Sequence, residues 1–210
     1  MSVEETILYA VLTPLVGAGL IAVTGSRPNL REAVTLASGV VLFVLVADLY
    51  PLVAAGRTPS VDMMEMLPGL AISFTVEPLG MIFAGIASFL WIVTSIYSIG
   101  YMRGHDEQNQ TRFYVFFAVA LSASIGIAFA GNMLTLFLFY EVLTLSTFPL
   151  VTHHGTDEAK RAGRVYLGIL MGTSILFLLF AIIWTWFLTG TLDFTPGGIL
   201  AGKADGLPAA

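Results

Sequence analysis

An acidic side chain inside an apolar run is the residue of this sequence best suited to chemistry. Glu141 lies nine residues into the run 132–151. If this run is a helix that crosses a bilayer, a rise of about 1.5 Å per residue places Glu141 roughly 13 Å deep, close to the midplane. A charge there costs at least about 2.5 kcal/mol, so an acid at this depth is expected to be paired with a base, to be neutral or to have a function. Desolvation favours the neutral form and a nearby base the ionised form, so a side chain held between them takes and releases a proton.

The alternative interpretation of Glu141 is structural. A protonated glutamic acid that joins two helices through a hydrogen bond needs no ionisation. The residue type and depth leave both interpretations open, and proton transfer is our hypothesis.

Two adjacent histidines, His153 and His154, follow the same run about three turns from Glu141. Histidine titrates near neutrality, so the pair is a candidate proton relay between loop water and the helix interior. The alternative is a solvated loop pair without a role. With no cysteine, phosphate loop, zinc spacing or Ser/His/Asp set, the sequence predicts no cofactor site and no metal site, and leaves open whether the protein is part of an enzyme.

The composition indicates that lipid surrounds these residues. Hydrophobic residues make up 57% of the 210 residues and charged residues 11%, whereas a soluble domain carries about a quarter charged residues. Apolar runs near the length of about 20 residues that crosses a membrane lie at 6–24, 33–55, 78–101, 113–130, 132–151 and 163–188. They are continuous, whereas barrel strands alternate in hydrophobicity. The predicted fold is therefore an all-α integral membrane bundle of about six transmembrane helices.

The segments outside the runs complete the predicted organisation. Residues 1–188 are expected to form the membrane domain and 189–210, rich in Gly and Pro, an extramembrane tail. Glu4 and Glu5 precede the first run without a basic residue, which argues against a cleaved signal peptide. The first run is therefore expected to remain as a membrane helix.

The basic residues predict the orientation. Seven of the nine Lys and Arg residues lie in the first, third and fifth loops, and only Arg57 and Lys203 lie on the other side. Since basic loops stay in the cytoplasm, both termini are expected on the non-cytoplasmic side of the inner (plasma) membrane. The net charge of −5 argues against a nucleic-acid partner.

The stretch 72–192 resembles the antiporter-like subunits shared by respiratory complex I, Mrp-type cation/proton antiporters and membrane-bound hydrogenases. The matching motifs are VEPL at 76–79, YSIGYMR at 97–103, NMLTLFLFYEV at 132–142 and EAKRAGRVYL at 158–167. The third motif is the most specific, because a midplane glutamate in the fifth helix is the mark of this family. The resemblance implies two inverted repeats, each with a broken helix, and a Lys on the broken seventh helix that pairs with the glutamate. Only Glu141 carries over to this chain.

The absence of a seventh apolar run changes what the resemblance implies. Without that run the chain has no partner Lys of its own, so we expect one part of a split proton-translocation subunit in a complex I-like or Mrp-like cation/proton antiporter assembly. The expected partners are other membrane subunits, one of which supplies a Lys facing Glu141, together with the lipid bilayer, H⁺ and, as an open question, Na⁺. The alternatives are a structural or assembly subunit without ion translocation, and an independent small transporter.

Overall fold

The computed structural model describes residues 1–67 and 69–203, and this part of the chain is mostly helical. It contains six helices long and apolar enough to cross a membrane, which confirms the predicted number. They are α1 (Val3–Val23), α2 (Pro28–Ala54), α3 (Pro78–Gly104), α4 (Gln110–Ala128), α5 (Met133–Val151) and a sixth helix (Asp157–Thr189). The sixth helix consists of α6 (Asp157–Thr173), a π-helical stretch (Ser174–Leu179) and α7 (Phe180–Thr189).

Local sequence signals explain where the first three helices begin. Ser2 and Glu5 form a capping box on α1, in which each side chain accepts a hydrogen bond from the backbone N–H of the other. α2 and α3 begin at Pro28 and Pro78, because a missing N–H costs nothing at the first helical position. α2 therefore begins before the predicted bound at residue 33.

The first four helices pack around one apolar core. α1 lies against α2 and α4, and α3 lies against α2 and α4. Ala118, Ser122 and Gly126 form a buried stripe on α4 that lets neighbouring helices come close. The hydroxyl of Ser122 donates a hydrogen bond of 2.6 Å to the carbonyl of Val11 on α1. Of this bundle, α4 is the helix that packs against α5.

A small antiparallel sheet between α2 and α3 corrects the prediction of an all-α chain. Strand β1 (Ser60–Leu67) pairs with strand β2 (Leu70–Thr75). Phe74 of β2 is 1% exposed and packs edge-on against Phe139 of α5, with ring centroids 5.5 Å apart. Strands this short lack the long apolar run by which the membrane helices are recognised, so the sequence alone indicated only a loop here.

The sixth helix is the least embedded of the six. Only 11% of its most apolar window is buried within the protein, against 22–44% for the other five. Its main packing partner is α5. Gly168 and Gly172 are spaced by four residues on α6, and a Cβ atom placed at either would meet nothing within 4 Å, so this side of α6 is open. Most of the sixth helix is therefore left for lipid or for another protein.

The start of the predicted tail belongs to the folded structure. The tail, 189–210, is described as far as Lys203, and 204–210 lie outside the described residues. Leu192 is 2% exposed, and its carbonyl accepts a hydrogen bond of 3.0 Å from the N–H of Met133. The chain after the sixth helix thus packs back onto the start of α5.

Candidate functional site

The helix that carries Glu141 is anchored at its start by a buried asparagine. The side-chain oxygen of Asn132, a residue only 1% exposed, accepts a hydrogen bond of 2.8 Å from the N–H of Thr135 and so caps α5. Its amide group donates to the carbonyl of Ala71 and the hydroxyl of Ser73, both at 2.8 Å. The hydroxyl of Thr135 accepts a further bond of 3.0 Å from the N–H of Ser73. Three hydrogen bonds thus join β2 to the first turn of α5.

Close packing between α4 and α5 fixes the segment just before Glu141. The ring of Phe139 lies against Gly126 of α4, where an added Cβ atom would collide with it. The same ring contacts Phe74 of β2, so it is held from two sides. The middle of α5 is therefore positioned by both the helical bundle and the hairpin.

The carboxylate of Glu141 is buried without a partner. Neither of its oxygens is accessible, and neither has a hydrogen-bond partner among the described residues. Glu141 is the ninth of the 19 residues of α5, so it lies near the middle of this helix. An unsatisfied buried polar group costs about 1–3 kcal/mol, and more when it is charged. This group can bind a proton or accept hydrogen bonds from a donor that the described residues do not supply.

Hydroxyl groups follow Glu141 in α5, and one of them meets a hydroxyl of α6. Thr144, one turn further along α5, is 3% exposed. The hydroxyls of Thr147 and Tyr166 lie 3.5 Å apart across the two helices. These groups can donate and accept hydrogen bonds, although in this structure none of them bonds to Glu141.

The two candidate relay histidines lie together beyond the end of α5. The ring centroids of His153 and His154 are 5.9 Å apart. The side chain of His153 is 13% exposed, whereas His154 is exposed. His153 is twelve positions after Glu141 and two after the last residue of α5, which corresponds to roughly 18 Å at the helical rise. The structure therefore brings the histidines to each other and leaves them apart from Glu141.

The surroundings of His153 disfavour its charged form. Burial lowers the pKa of His153 below its ordinary value, and the neighbouring Arg112 and His154 act in the same direction. The carboxylate of Glu107, 3.9 Å from the ring Nε2 atom, raises this pKa and offsets part of the effect. Together these effects favour the neutral form of His153.

A partly buried ionic cluster at the start of α2 and the end of α3 was not foreseen. The Nε atom of Arg103 donates to Glu32 Oε1 at 3.0 Å, and its Nη2 atom lies 2.5 Å from Glu32 Oε2. Arg31 is 4% exposed, and its Nη2 atom lies 3.4 Å from Glu32 Oε1. The same Nη2 atom donates a hydrogen bond of 2.8 Å to the side-chain oxygen of Gln110. The guanidinium carbon lies 5.1 Å from the centroid of the Tyr114 ring. The cluster ties the ends of three helices together.

The sequence held one signal for this cluster. Arg31 and Arg103 were explained by membrane orientation alone, and the predicted start of the second run excluded Glu32. An acid beside an arginine at a helix start is better explained by a buried pair than by orientation. No group of three His, Cys, Asp or Glu side chains within the described residues is placed to hold a metal ion.

Two family models match the chain. The model described as "NADH:quinone oxidoreductase/Mrp antiporter, TM" matches residues 130–200, which contain Glu141. The model described as "NADH-Ubiquinone oxidoreductase (complex I), chain 5 N-terminus" matches residues 68–114. Together they cover more than half of the chain.

Curated relatives agree with these models. A probable K⁺/H⁺ antiporter subunit of Rhizobium meliloti is 27% identical over 179 residues, which are 79% of this chain and 17% of the relative. A putative antiporter subunit, mnhD2, of Staphylococcus haemolyticus is 26% identical over 192 residues, 91% of this chain and 38% of the relative. The chain thus spans less than two fifths of the length of either protein.

Solved structures share the fold. A chain of the Mrp complex from Dietzia sp. superposes with a TM-score of 0.75 at 20% identity, over 92% of this chain and 36% of that chain. A chain of the membrane-bound sulfane sulfur reductase, an archaeal respiratory membrane complex, gives 0.73 at 21% identity, over 88% of this chain and 28% of that chain. From the family models, the relatives and the fold together, this multi-pass membrane chain belongs to the antiporter-like subunit family of Mrp antiporters and complex I-like NADH:quinone oxidoreductases.

Proposed function

We propose that this chain is a proton-translocating subunit of an Mrp-like or complex I-like cation/proton antiporter assembly, with Glu141 in the proton path. The observation that carries the proposal is the buried Glu141 carboxylate without a partner among the described residues. It lies in the segment matched by the antiporter family model. A carboxylate in apolar surroundings is retained where it pairs with a charge or moves protons.

The proposal includes a partner for this carboxylate. We expect another membrane subunit to supply a Lys facing Glu141, so that the chain is one part of a split subunit. Support comes from the sixth helix, whose apolar window is 11% buried and whose Gly168 and Gly172 positions are open. Small residues at this spacing allow a second helix to approach closely. An approaching Lys stabilises the ionised carboxylate and a retreating Lys the protonated form.

The proton route ends at the histidines in this proposal. His153 and His154 exchange protons between water and the hydroxyl groups that lead toward Glu141. The basic loops favour a cytoplasmic position for this end of the bundle, so the proposal has both termini outside, in the inner (plasma) membrane. H⁺ is the ion that Glu141 carries, and Na⁺ is the candidate for exchange against it.

The alternative is an assembly subunit that moves no ions. The observation in its favour is that none of the ion pairs formed by the described residues involves Glu141. A neutral Glu141 would then act only as a packing residue.

The substitution Glu141→Gln separates the two functions. Glutamine keeps the shape and a hydrogen-bonding amide but cannot titrate, so the proposal expects normal assembly and a severe loss of proton-coupled cation transport. Glu141→Asp keeps the carboxylate, withdrawn by one methylene, and should retain part of the activity. Transport is measured in reconstituted vesicles and normalised to assembled complex. Wild-type transport by the Gln variant would reject proton transfer at Glu141 and favour the assembly function.

A further inference from the structure

Three segments of the chain meet around the ring of His153. The connection between α3 and α4 contributes Glu107, the first turn of α4 contributes Arg112 and Phe113, and the end of α5 contributes Thr152 and His153 itself. Nη2 of Arg112 donates to the His153 carbonyl at 2.8 Å and lies 3.4 Å from the Thr152 carbonyl. The ring of Phe113 meets the imidazole edge-on, with centroids 5.9 Å apart. Arg112 and Phe113 thus hold the histidine in place without binding its ring nitrogens.

Both ring nitrogens of His153 are left free. Nδ1 and Nε2 are buried, and neither has a hydrogen-bond partner among the described residues. A neutral imidazole carries a proton on one nitrogen and accepts one on the other. A relay needs both nitrogens available, because it takes a proton on one and releases it from the other. The ring of His153 meets this requirement.

The acid beside this ring is more exposed to water than the ring itself. Oε2 of Glu107 lies 3.9 Å from Nε2 of His153, and the Glu107 side chain is 23% exposed against 13% for His153. A hydrogen bond forms at about 2.7–3.2 Å, so a side-chain movement of roughly 1 Å closes the gap. The acid is therefore both accessible to water and close to the imidazole.

We infer that Glu107 delivers protons to His153 and that Arg112 is the positioning residue of this port. A proton from water binds the Glu107 carboxylate; its O–H bond then breaks as an N–H bond forms at Nε2, which regenerates the carboxylate. The imidazolium next gives its Nδ1 proton to an acceptor further along the proposed path, which leaves the ring neutral with its proton on Nε2. This inference rests on the proposed function, since it supplies the entry to the same proton path.

The charges around His153 suit a group that passes protons on rather than one that keeps a proton bound. The titratable groups that act on it are Arg112 from α4, Glu107 from the preceding connection and His154 beside it. Arg112 and His154 favour release of the proton, and Glu107 favours its arrival. A proton-transfer group works best when it holds the proton only briefly near the working pH.

The test compares Glu107→Gln with Asp106→Asn. Both remove one negative charge from the same connection, but Asp106 is not among the groups that act on His153, and Asn tolerates its left-handed φ of 49°. In vesicles containing the intact assembly, Glu107→Gln should lower transport near neutral pH and move the pH profile to lower pH. The direction of this shift follows from the loss of the Glu107 charge, since that charge raises the pKa of His153, and solvent weakens the effect because the pair is partly exposed. Asp106→Asn should leave the profile unchanged.

A double variant tests whether the two residues act as one port. Glu107→Gln combined with His153→Gln should transport no worse than His153→Gln alone, because partners in one step are not additive. Equal effects of Glu107→Gln and Asp106→Asn, or additive losses in the double variant, would overturn the inference.

A measurement without transport separates this inference from the role of Glu141. The full chain, labelled with ¹⁵N-histidine and assembled with unlabelled partners in nanodiscs, is titrated by NMR. The His153 signal is identified by its absence in His153→Gln. Its midpoint should fall in Glu107→Gln whatever the outcome for Glu141→Gln, and an unchanged midpoint contradicts the Glu107–His153 pair even if Glu141 proves essential.

Discussion

Substitution of Asn132 by alanine tests whether β2 holds the start of the helix that carries Glu141. The change removes the N-cap of α5, worth about 1 kcal/mol. It also removes two amide hydrogen bonds, each worth about 1 kcal/mol, to Ala71 and Ser73. The expected loss of stability is about 3 kcal/mol. For a chain of this size, a loss of that magnitude lowers the midpoint of thermal unfolding by about 6 to 12 °C.

Thr156 offers a matched control, because it caps α6 through one exposed hydrogen bond of 3.1 Å to Ala159. Thr156→Ala should cost only the cap, about 1 kcal/mol. Asn132→Ser, which keeps a capping oxygen and loses the amide donors, should fall between the two alanine variants. The full chain, fused to a fluorescent protein, is heated in detergent extract and its folded peak is followed by size-exclusion chromatography. If Asn132→Ala costs no more than Thr156→Ala, the bonds to β2 do not hold α5.

Three further predictions concern orientation, packing and partners. Reporter fusions in the basic loops should report the cytoplasm; these loops are 25–32, 103–112 and 153–162. Fusions in the second loop, 57–66, and at the C-terminus should report the outside. A cytoplasmic C-terminus would contradict the orientation. Gly80→Ala should lower the midpoint of thermal unfolding of the fluorescent-protein fusion, because the added Cβ atom would strike the carbonyl of Ala128. Gly85→Ala, in open space on the same helix, should leave the midpoint unchanged. Equal midpoints for the two variants would contradict this packing. Purified under mild conditions, the chain should bring with it a membrane protein of comparable or larger size, and a stable, functional monomer would exclude the split subunit.

The number of membrane helices was predictable because each is a long apolar run. Such a run needs no knowledge of its neighbours, since lipid imposes the same requirement on every crossing segment. Helix starts were less exact, because α2 begins at a proline in a polar segment. Glu141 was predictable as a candidate because an acidic residue inside a long apolar run is recognised from the local sequence alone.

Features that depend on contacts distant in sequence were not predictable. Glu32 and Arg103 are 71 residues apart, and nothing local to either indicates the other. The hairpin was missed because its strands are short and gain stability from Asn132 and α5 rather than from their own pattern. His153 was identified as a candidate, but Glu107 and Arg112 become relevant only when three segments meet.

The π-helical stretch at Ser174–Leu179 changes the phase of the sixth helix. A π turn closes its hydrogen bonds one residue later than an α turn, so the residues after it are rotated by about 100° relative to an uninterrupted helix. A helical wheel drawn through the whole segment therefore assigns Trp184 and Phe187 to the wrong side relative to Gly168 and Gly172. Cross-linking pairs for a neighbouring helix should be designed separately for the two halves, with the offset of one residue applied after the π turn.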